Sequence, residues 1–254
     1  MQNETKKKPH RWGEKRTFSR RSLHGQVAHE IGIRIINGKF PPGSLLPNEL
    51  DFSDNMQVSR TAFREALKVL ASKGLIESRP KVGTRVRPRD TWNILDPDIL
   101  SWIFSSGPNL DYGADLFELR RIIEPAAAGF AAERHTPETF APIEQAFAEM
   151  EAAKDDMEAG LGPDVRFHGS IVLATDNKLL VPMIYLIESA LAETIKLTTQ
   201  RPRAWEVSIP LHRNVLDAIR VRDHDGAAEA MATLLEPARS GMEHALGNEA
   251  AKPA

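Results

Sequence analysis

From residue 94 to residue 246 the sequence reads as helix almost without interruption, and no other feature narrows the fold as much. Ala is abundant, β-branched runs are few, and Pro and Gly are expected to fall between apolar-periodic segments. The spacing predicts helices over 95–105, 112–134, 137–157, 161–175, 178–199, 205–222 and 224–246, an antiparallel bundle of six or seven. Such bundles build ligand sites from side chains that project inward from facing helices.

The first ninety residues have a different pattern. Leu23, Val27, Ile31 and Ile35 recur at intervals of four, the stripe of an amphipathic helix that Asn37-Gly38 stops. Pro47 opens a short helix expected over 47–56, "MQV" makes a turn, and Ser59 stands where an N-cap belongs. In "SRTAFREALKVLASKG", Phe63, Ala66, Leu67 and Leu70 form the expected apolar face, while Arg60, Arg64 and Lys68 recur every four residues on another. Gly74 ends that helix, and "LIES" and "TRVRP" are two β-like segments around a basic turn. Helix, helix, turn, helix and basic hairpin is the order of a winged helix-turn-helix, whose third helix can lie in a DNA major groove. The whole chain is therefore expected to be mainly α: an N-terminal winged helix-turn-helix and a C-terminal all-α antiparallel bundle.

Charge separates the same two regions. Residues 1–90 carry 19 Lys and Arg against 9 Asp and Glu, whereas 91–254 carry 14 against 26. The N-terminal excess survives at +4 when the basic stretch 1–21 is set aside, which fits a polyanion-binding region joined to one with another task. The 254 residues contain no Cys, which excludes disulfides, thiolate zinc sites and cysteine nucleophiles. No apolar run approaches a membrane span and the N-terminus lacks a signal-peptide core, so a soluble cytoplasmic location is expected. The expected division is a basic, flexible tail 1–21, a winged helix-turn-helix DNA-binding domain 22–90, a linker 91–111, a helical domain 112–246 and a flexible C-terminus 247–254.

The stretch "LLPNELDFSDNMQVSRTAFREALKVLASKGLIESRPKVGTRV" (45–86) resembles, without a gap, the DNA-binding domain of the GntR family of bacterial transcription regulators. The resemblance implies that Ser59, Arg60, Thr61 and Arg64 contact DNA from the recognition helix, and that Lys81, Gly83 and Thr84 do so from the wing. Arg guanidinium can pair bidentately with guanine, and Ser, Thr and Lys can bind phosphate. Leu50, beside Asn48, stands where the family often has Arg, which implies an operator unlike the commonest one. "LFELRRIIEPAAAGFAAERH" (116–135), "DVRFHGSIVLATDNKLL" (164–180) and "LHRNVLDAIRVRDHDGAAEAMATLLEPAR" (211–239) resemble the FCD effector domain of the FadR-like branch. With "WNILDPDILSWIF" (92–104), followed by "ELRRIIEP", the chain resembles regulators of sugar-acid operons, galactonate repressors in particular.

Asp164 and His168, four residues apart, share one helix face. Metal-binding FCD domains use such a pair with two further His, and His212 matches the third ligand; Leu234 occupies the position expected for the fourth. Three protein ligands can still hold Zn²⁺, Mn²⁺ or Ni²⁺, with a sugar acid completing the coordination. Two alternatives stand beside this: Asp164, His168 and His212 bind the effector directly, or the two His are ordinary buried imidazoles. By the resemblance Arg120 meets an effector carboxylate; its other expected role is a surface ion pair with Glu124. The expected function is a DNA-binding regulator, a repressor and homodimer on a short inverted repeat, whose helical domain senses a hydroxy acid such as galactonate. Lactate, pyruvate or another short carboxylic acid is the alternative effector. A metal-dependent hydrolase with a DNA anchor is the alternative of another class, although no general base or nucleophile signature such as G-x-S-x-G is present.

Overall fold

The structure is a computed structural model and describes residues 22–47, 58–79, 81–104, 110–154, 156–184, 186–189 and 204–250. The chain divides into two compact units, Met1–Ile99 and Leu100–Ala254. The helix expected over 47–56, with Asn48 and Leu50, lies outside the described residues from 48 onward, as do 1–21.

In the first unit, helix α1 (Leu23–Ile36) begins at Ser22, whose hydroxyl accepts from Gly25 N. Val27, Ala28, Ile31 and Ile35 are buried, but Leu23 is exposed: as the first helical residue it precedes the turn that packs. Helix α2 (Arg60–Ser72) packs on α1 through Phe63, Ala66, Val69 and Leu70. Val69 replaces the expected Leu67, which is only half-buried, so the buried stripe is rotated toward 66, 69 and 70. Strands β1 (Ile76–Arg79) and β2 (Gly83–Val86) pair antiparallel, with Ile76 opposite Val86 and Arg79 opposite Gly83. The other edge of β2 is covered by a bridge between Leu45 and Arg85.

Gly74 takes φ +78°, the left-handed conformation that favours glycine, and a Cβ there would meet Thr91 O at 2.3 Å. That close approach ties the end of α2 to residues 91–98. Asn93 N donates to Lys73 O, and Lys73 Nζ lies 2.7 Å from both Asp96 Oδ1 and Asp98 Oδ2. Asp96 Oδ1 also accepts from Asp98 N, at the start of helix α3 (Pro97–Phe104).

The second unit contains α4 (Leu110–Arg134), α5 (Pro137–Ala152), α6 (Met157–Ala174), α7 (Ala204–Arg220) and α8 (His224–Ala250). Helix α8 packs against α4 and α7, α5 packs against α6, and α4 also touches α6 and α7. A capping box at Thr136 and Thr139 starts α5. Asp156 caps α6 by accepting from Ala159 N, which explains why the expected helix ending at 157 stops at Ala152 and the next begins earlier. Helix α8 runs to Ala250, past the expected end at 246. Of the helix expected over 178–199, a short 3-10 turn at Val181–Met183 and helical residues up to 189 are described.

Proline overturns one expectation. Pro125, Pro142, Pro163, Pro210 and Pro237 lie inside helices rather than between them. Each removes one helical hydrogen bond, and burial of long apolar faces, with Ala127, Ile143, Phe167, Val215 and Met231 fully enclosed, outweighs that loss.

Candidate functional site

Two groups of residues bear on function, one in each unit. In the first, Ser59 Oγ accepts from Ala62 N at 3.2 Å and so caps α2. Arg60, Thr61 and Arg64 follow on its exposed side, and Lys68 pairs with Glu65 at 2.7 Å. At the hairpin tip Lys81 has φ +63° and is exposed, as are Val82 and Gly83. Thr84 lies back in β2, its hydroxyl 2.9 Å from Ser78 Oγ on the facing strand. Four exposed side chains at a capped helix start, with an exposed lysine and glycine at a wing tip, form a surface suited to phosphate and base edges.

In the second unit, three helices bring Asp164 and His168 (α6), His212 (α7), and Arg120 and Glu124 (α4) into one buried cluster. His212 Nε2 lies 2.9 Å from Asp164 Oδ1 and 3.3 Å from His168 Nε2; His168 Nε2 lies 3.5 Å from Asp164 Oδ1. The outer nitrogen of each ring is already engaged. His168 Nδ1 donates to Glu124 Oε2 at 2.5 Å, and His212 Nδ1 donates to the Ser208 carbonyl at 2.8 Å. Phe167, fully buried, packs edge-on against the His212 ring. Arg120 Nε donates to Glu124 Oε1 at 2.5 Å. Their pairing is therefore real but buried, with side-chain exposures of 4% and 1%, and is not the surface ion pair that spacing alone suggested. Among the described residues the two terminal amino groups of Arg120 have no partner. Leu234 is a buried apolar residue on α8.

The sequence pointed to Asp164, His168, His212 and Arg120 and missed how Glu124 and Ser208 serve the rings. Ser208 stands four residues before His212 on one helix, so that contact was readable from spacing. The bond from His168 to Glu124 joins residues 44 apart, and no local pattern carries it.

The electrostatics follow from this crowding. Burial pushes the His168 pKa down, but the Glu124 charge, the bond to Glu124 and the neighbouring Asp164 carboxylate prevail and raise it from 6.5 to about 9. Burial pushes Glu124 up, and Arg120 and His168 overcome it to hold the carboxyl at about 2. Burial likewise opposes ionisation of Asp164, and the two imidazoles hold it well below the usual carboxylate range. The cluster thus keeps two buried carboxylates charged, which the positive charge beside them stabilises.

Asp164, His168 and His212 each offer a ligand atom within 4.8 Å of the others. With both Nδ1 atoms donating outward, neutral rings turn both Nε2 lone pairs inward. In that state neither ring aims an N–H at Asp164 Oδ1, which lies close to both, and this buried carboxylate oxygen has no hydrogen-bond partner among the described residues. Two inward lone pairs and an unpartnered carboxylate oxygen fit a divalent ion. Without metal, the second proton on His168 supplies the positive charge, so proton and metal compete for the same atoms.

A reading helix with a basic wing, and a helical unit with a buried cation-and-carboxylate site, define a DNA-binding transcriptional regulator. The family models agree: residues 23–86 match the gntR family of bacterial regulatory proteins, and residues 115–237 match the FCD domain. The chain belongs to the GntR family, in its FadR-like, FCD-containing branch. It is 34% identical over 211 residues to the galactonate operon transcriptional repressor of Escherichia coli, covering 83% of this chain and 92% of that protein. It is also 34% identical over 219 residues to the putative L-lactate dehydrogenase operon regulatory protein of the same organism, covering 83% of each. Among solved structures, that of Lar, which controls the expression of the Listeria monocytogenes agr system, has a TM-score of 0.62. At 16% identity, covering 88% of this chain and 97% of that one, it shows a shared fold. These families and relatives are transcriptional regulators, so the hydrolase alternative is set aside. No helix among the described residues is long and apolar enough to cross a membrane.

Proposed function

We propose that the protein is a homodimeric repressor of a sugar-acid catabolic operon whose DNA binding is set by a hydroxy acid such as galactonate. The observation that carries this reading is the buried cluster of Arg120, Glu124, Asp164, His168 and His212. Arg120 offers two terminal amino groups to a carboxylate, the planar fork that such ligands favour. Asp164, His168 and His212 would hold one Zn²⁺, Mn²⁺ or Ni²⁺ ion, which when bound supplies a positive centre for a carboxylate and a neighbouring hydroxyl. The resemblance to a galactonate operon repressor supports a hexonate. Lactate or pyruvate is the second reading, supported by the lactate-operon relative at the same identity. Both acids share the carboxylate; the hexonate adds hydroxyls.

On the DNA side, Ser59, Arg60, Thr61 and Arg64 enter the major groove, and Lys81, Gly83 and Thr84 meet the flanking backbone. Two copies reading an inverted repeat match the symmetry of the operator. The acid acts by binding one dimer geometry better than the other, since a ligand indifferent to both shifts nothing.

The test pairs two measurements. Thermal shift over galactonate, hexarates, lactate and pyruvate, each with and without EDTA, identifies the acid, because binding to the folded state raises its melting temperature. Anisotropy on the promoter of the protein's own operon then shows whether that acid changes operator affinity. In the same assay Arg60→Ala is expected to weaken operator binding by about 1–3 kcal/mol and to relax base preference. If no acid shifts the melting temperature or the operator affinity, the sensor reading is wrong; an unchanged affinity for Arg60→Ala rejects the assigned reading helix.

A further inference from the structure

Glu124 is shared between the two halves of the cluster. Its Oε1 accepts from Arg120 Nε and its Oε2 from His168 Nδ1, each at 2.5 Å, with the carboxylate 1% exposed. We propose that Glu124 is the positioning residue of the site: it fixes the His168 ring with Nε2 presented to the metal and, through its other oxygen, seats the Arg120 guanidinium. This rests on the metal reading above and extends it to a residue that is neither a ligand nor an effector contact.

Arg120 Nε always carries a hydrogen, and a metal-ligating His168 must keep its hydrogen on Nδ1 so that Nε2 is bare. Both atoms therefore require an acceptor at the same moment. A carboxylate accepts at both oxygens; its isostere, a carboxamide, accepts at one end and donates at the other. In Glu124→Gln the amide oxygen stays on the cationic Arg120, where the charge-assisted bond is stronger. The NH₂ then faces His168 Nδ1, which must become the acceptor. The ring hydrogen moves to Nε2 and points at the place where the metal belongs. A residue that merely fills space would tolerate the isostere, so the substitution separates the two roles.

His212 provides an internal control. Its Nδ1 donates to the Ser208 carbonyl on its own helix, a bond that does not involve Glu124. The substitution should alter one ring and leave the other ligating.

Full-length protein loaded with Co²⁺ tests this. Titration against a chelator gives the affinity, and proton NMR in H₂O shows the hyperfine-shifted, solvent-exchangeable N–H of each coordinated imidazole. Wild type is expected to show two such resonances, one per ring. Glu124→Gln is expected to bind Co²⁺ about 10–100-fold more weakly, the usual cost of losing an outer-shell partner, and to show one resonance. Wild-type affinity, or both resonances retained in Glu124→Gln, overturns the positioning role while leaving the metal reading in place. Failure of wild type to bind Co²⁺ overturns the metal reading and the inference with it. Circular dichroism checks that the variant folds; if it does not, the wild-type spectrum decides, and fewer than two exchangeable resonances sinks the proposal.

Discussion

Lys73 is the point at which the end of the reading helix is fastened, and removing its charge has a cost that can be worked from the structure. Its ammonium sits 2.7 Å from Asp96 and 2.7 Å from Asp98, with side-chain exposures of 7%, 19% and 9%. Lys73→Met keeps most of the buried volume and deletes the charge. Asp96 remains engaged, because its Oδ1 still accepts from Asp98 N, and its partial exposure lets water compensate it. Asp98 is nearly as buried as the lysine and loses the ammonium 2.7 Å away. Breaking a fully buried pair costs about 3–5 kcal/mol; the exposure of Asp96 places this case near the lower end, at roughly 3 kcal/mol. Hydrogen exchange followed by mass spectrometry reads the effect locally. About 3 kcal/mol corresponds to roughly a hundredfold faster exchange of slow amides in 60–79, with 110–250 unchanged. Lys73→Met with Asp98→Asn removes the buried negative charge as well and should recover a substantial part of the protection. Less than about a fivefold change in the single variant would show that the ion pairs do not fasten the helix, and the reasoning from burial would be wrong.

Other expectations follow from single contacts. Gly74→Ala places a Cβ 2.3 Å from Thr91 O at a φ of +78°, so strain and collision together should cost the first unit more than about 2 kcal/mol in the same exchange measurement. Lys81→Ala at the wing tip should weaken binding to all DNA sequences alike and reduce the slope of log affinity against log salt by about 1; an unchanged slope removes the lysine from the interface. In EDTA-treated protein the His168 pKa is raised from 6.5 to about 9 by its carboxylate neighbours. The stabilisation it supplies is therefore complete below pH 6.5 and is lost as pH rises through 9. Melting temperatures of wild type and His168→Gln from pH 6 to 10 should converge at the alkaline end, and a pH-independent gap would contradict the assignment.

What could be read from the chain, and what could not, divides along the range of the interactions. Ser59 as an N-cap, Gly74 as a helix end, and the face shared by Asp164 and His168 all follow from spacings within one or two turns, and the structure places them so. The prolines were misplaced because a local rule forbids them in helix interiors, whereas the packing that overrides the rule comes from other helices. Val69 displaced Leu67 for a related reason: both are apolar, and which one faces α1 depends on how that helix lies against α2. The buried cluster shows the same limit at the level of chemistry. Arg120 and Glu124 are four apart, so their pairing was visible, and on the surface it would contribute only tenths of a kcal/mol. Its weight comes from burial and from His168 arriving from a helix 44 residues away, which turns an ordinary i,i+4 pair into one acceptor serving two donors. The ligand pattern carried over by resemblance has four members, and this chain fills three of them with donors and the fourth with a buried leucine. Any ion held there must draw its remaining ligands from outside these three side chains, from water or from a bound acid.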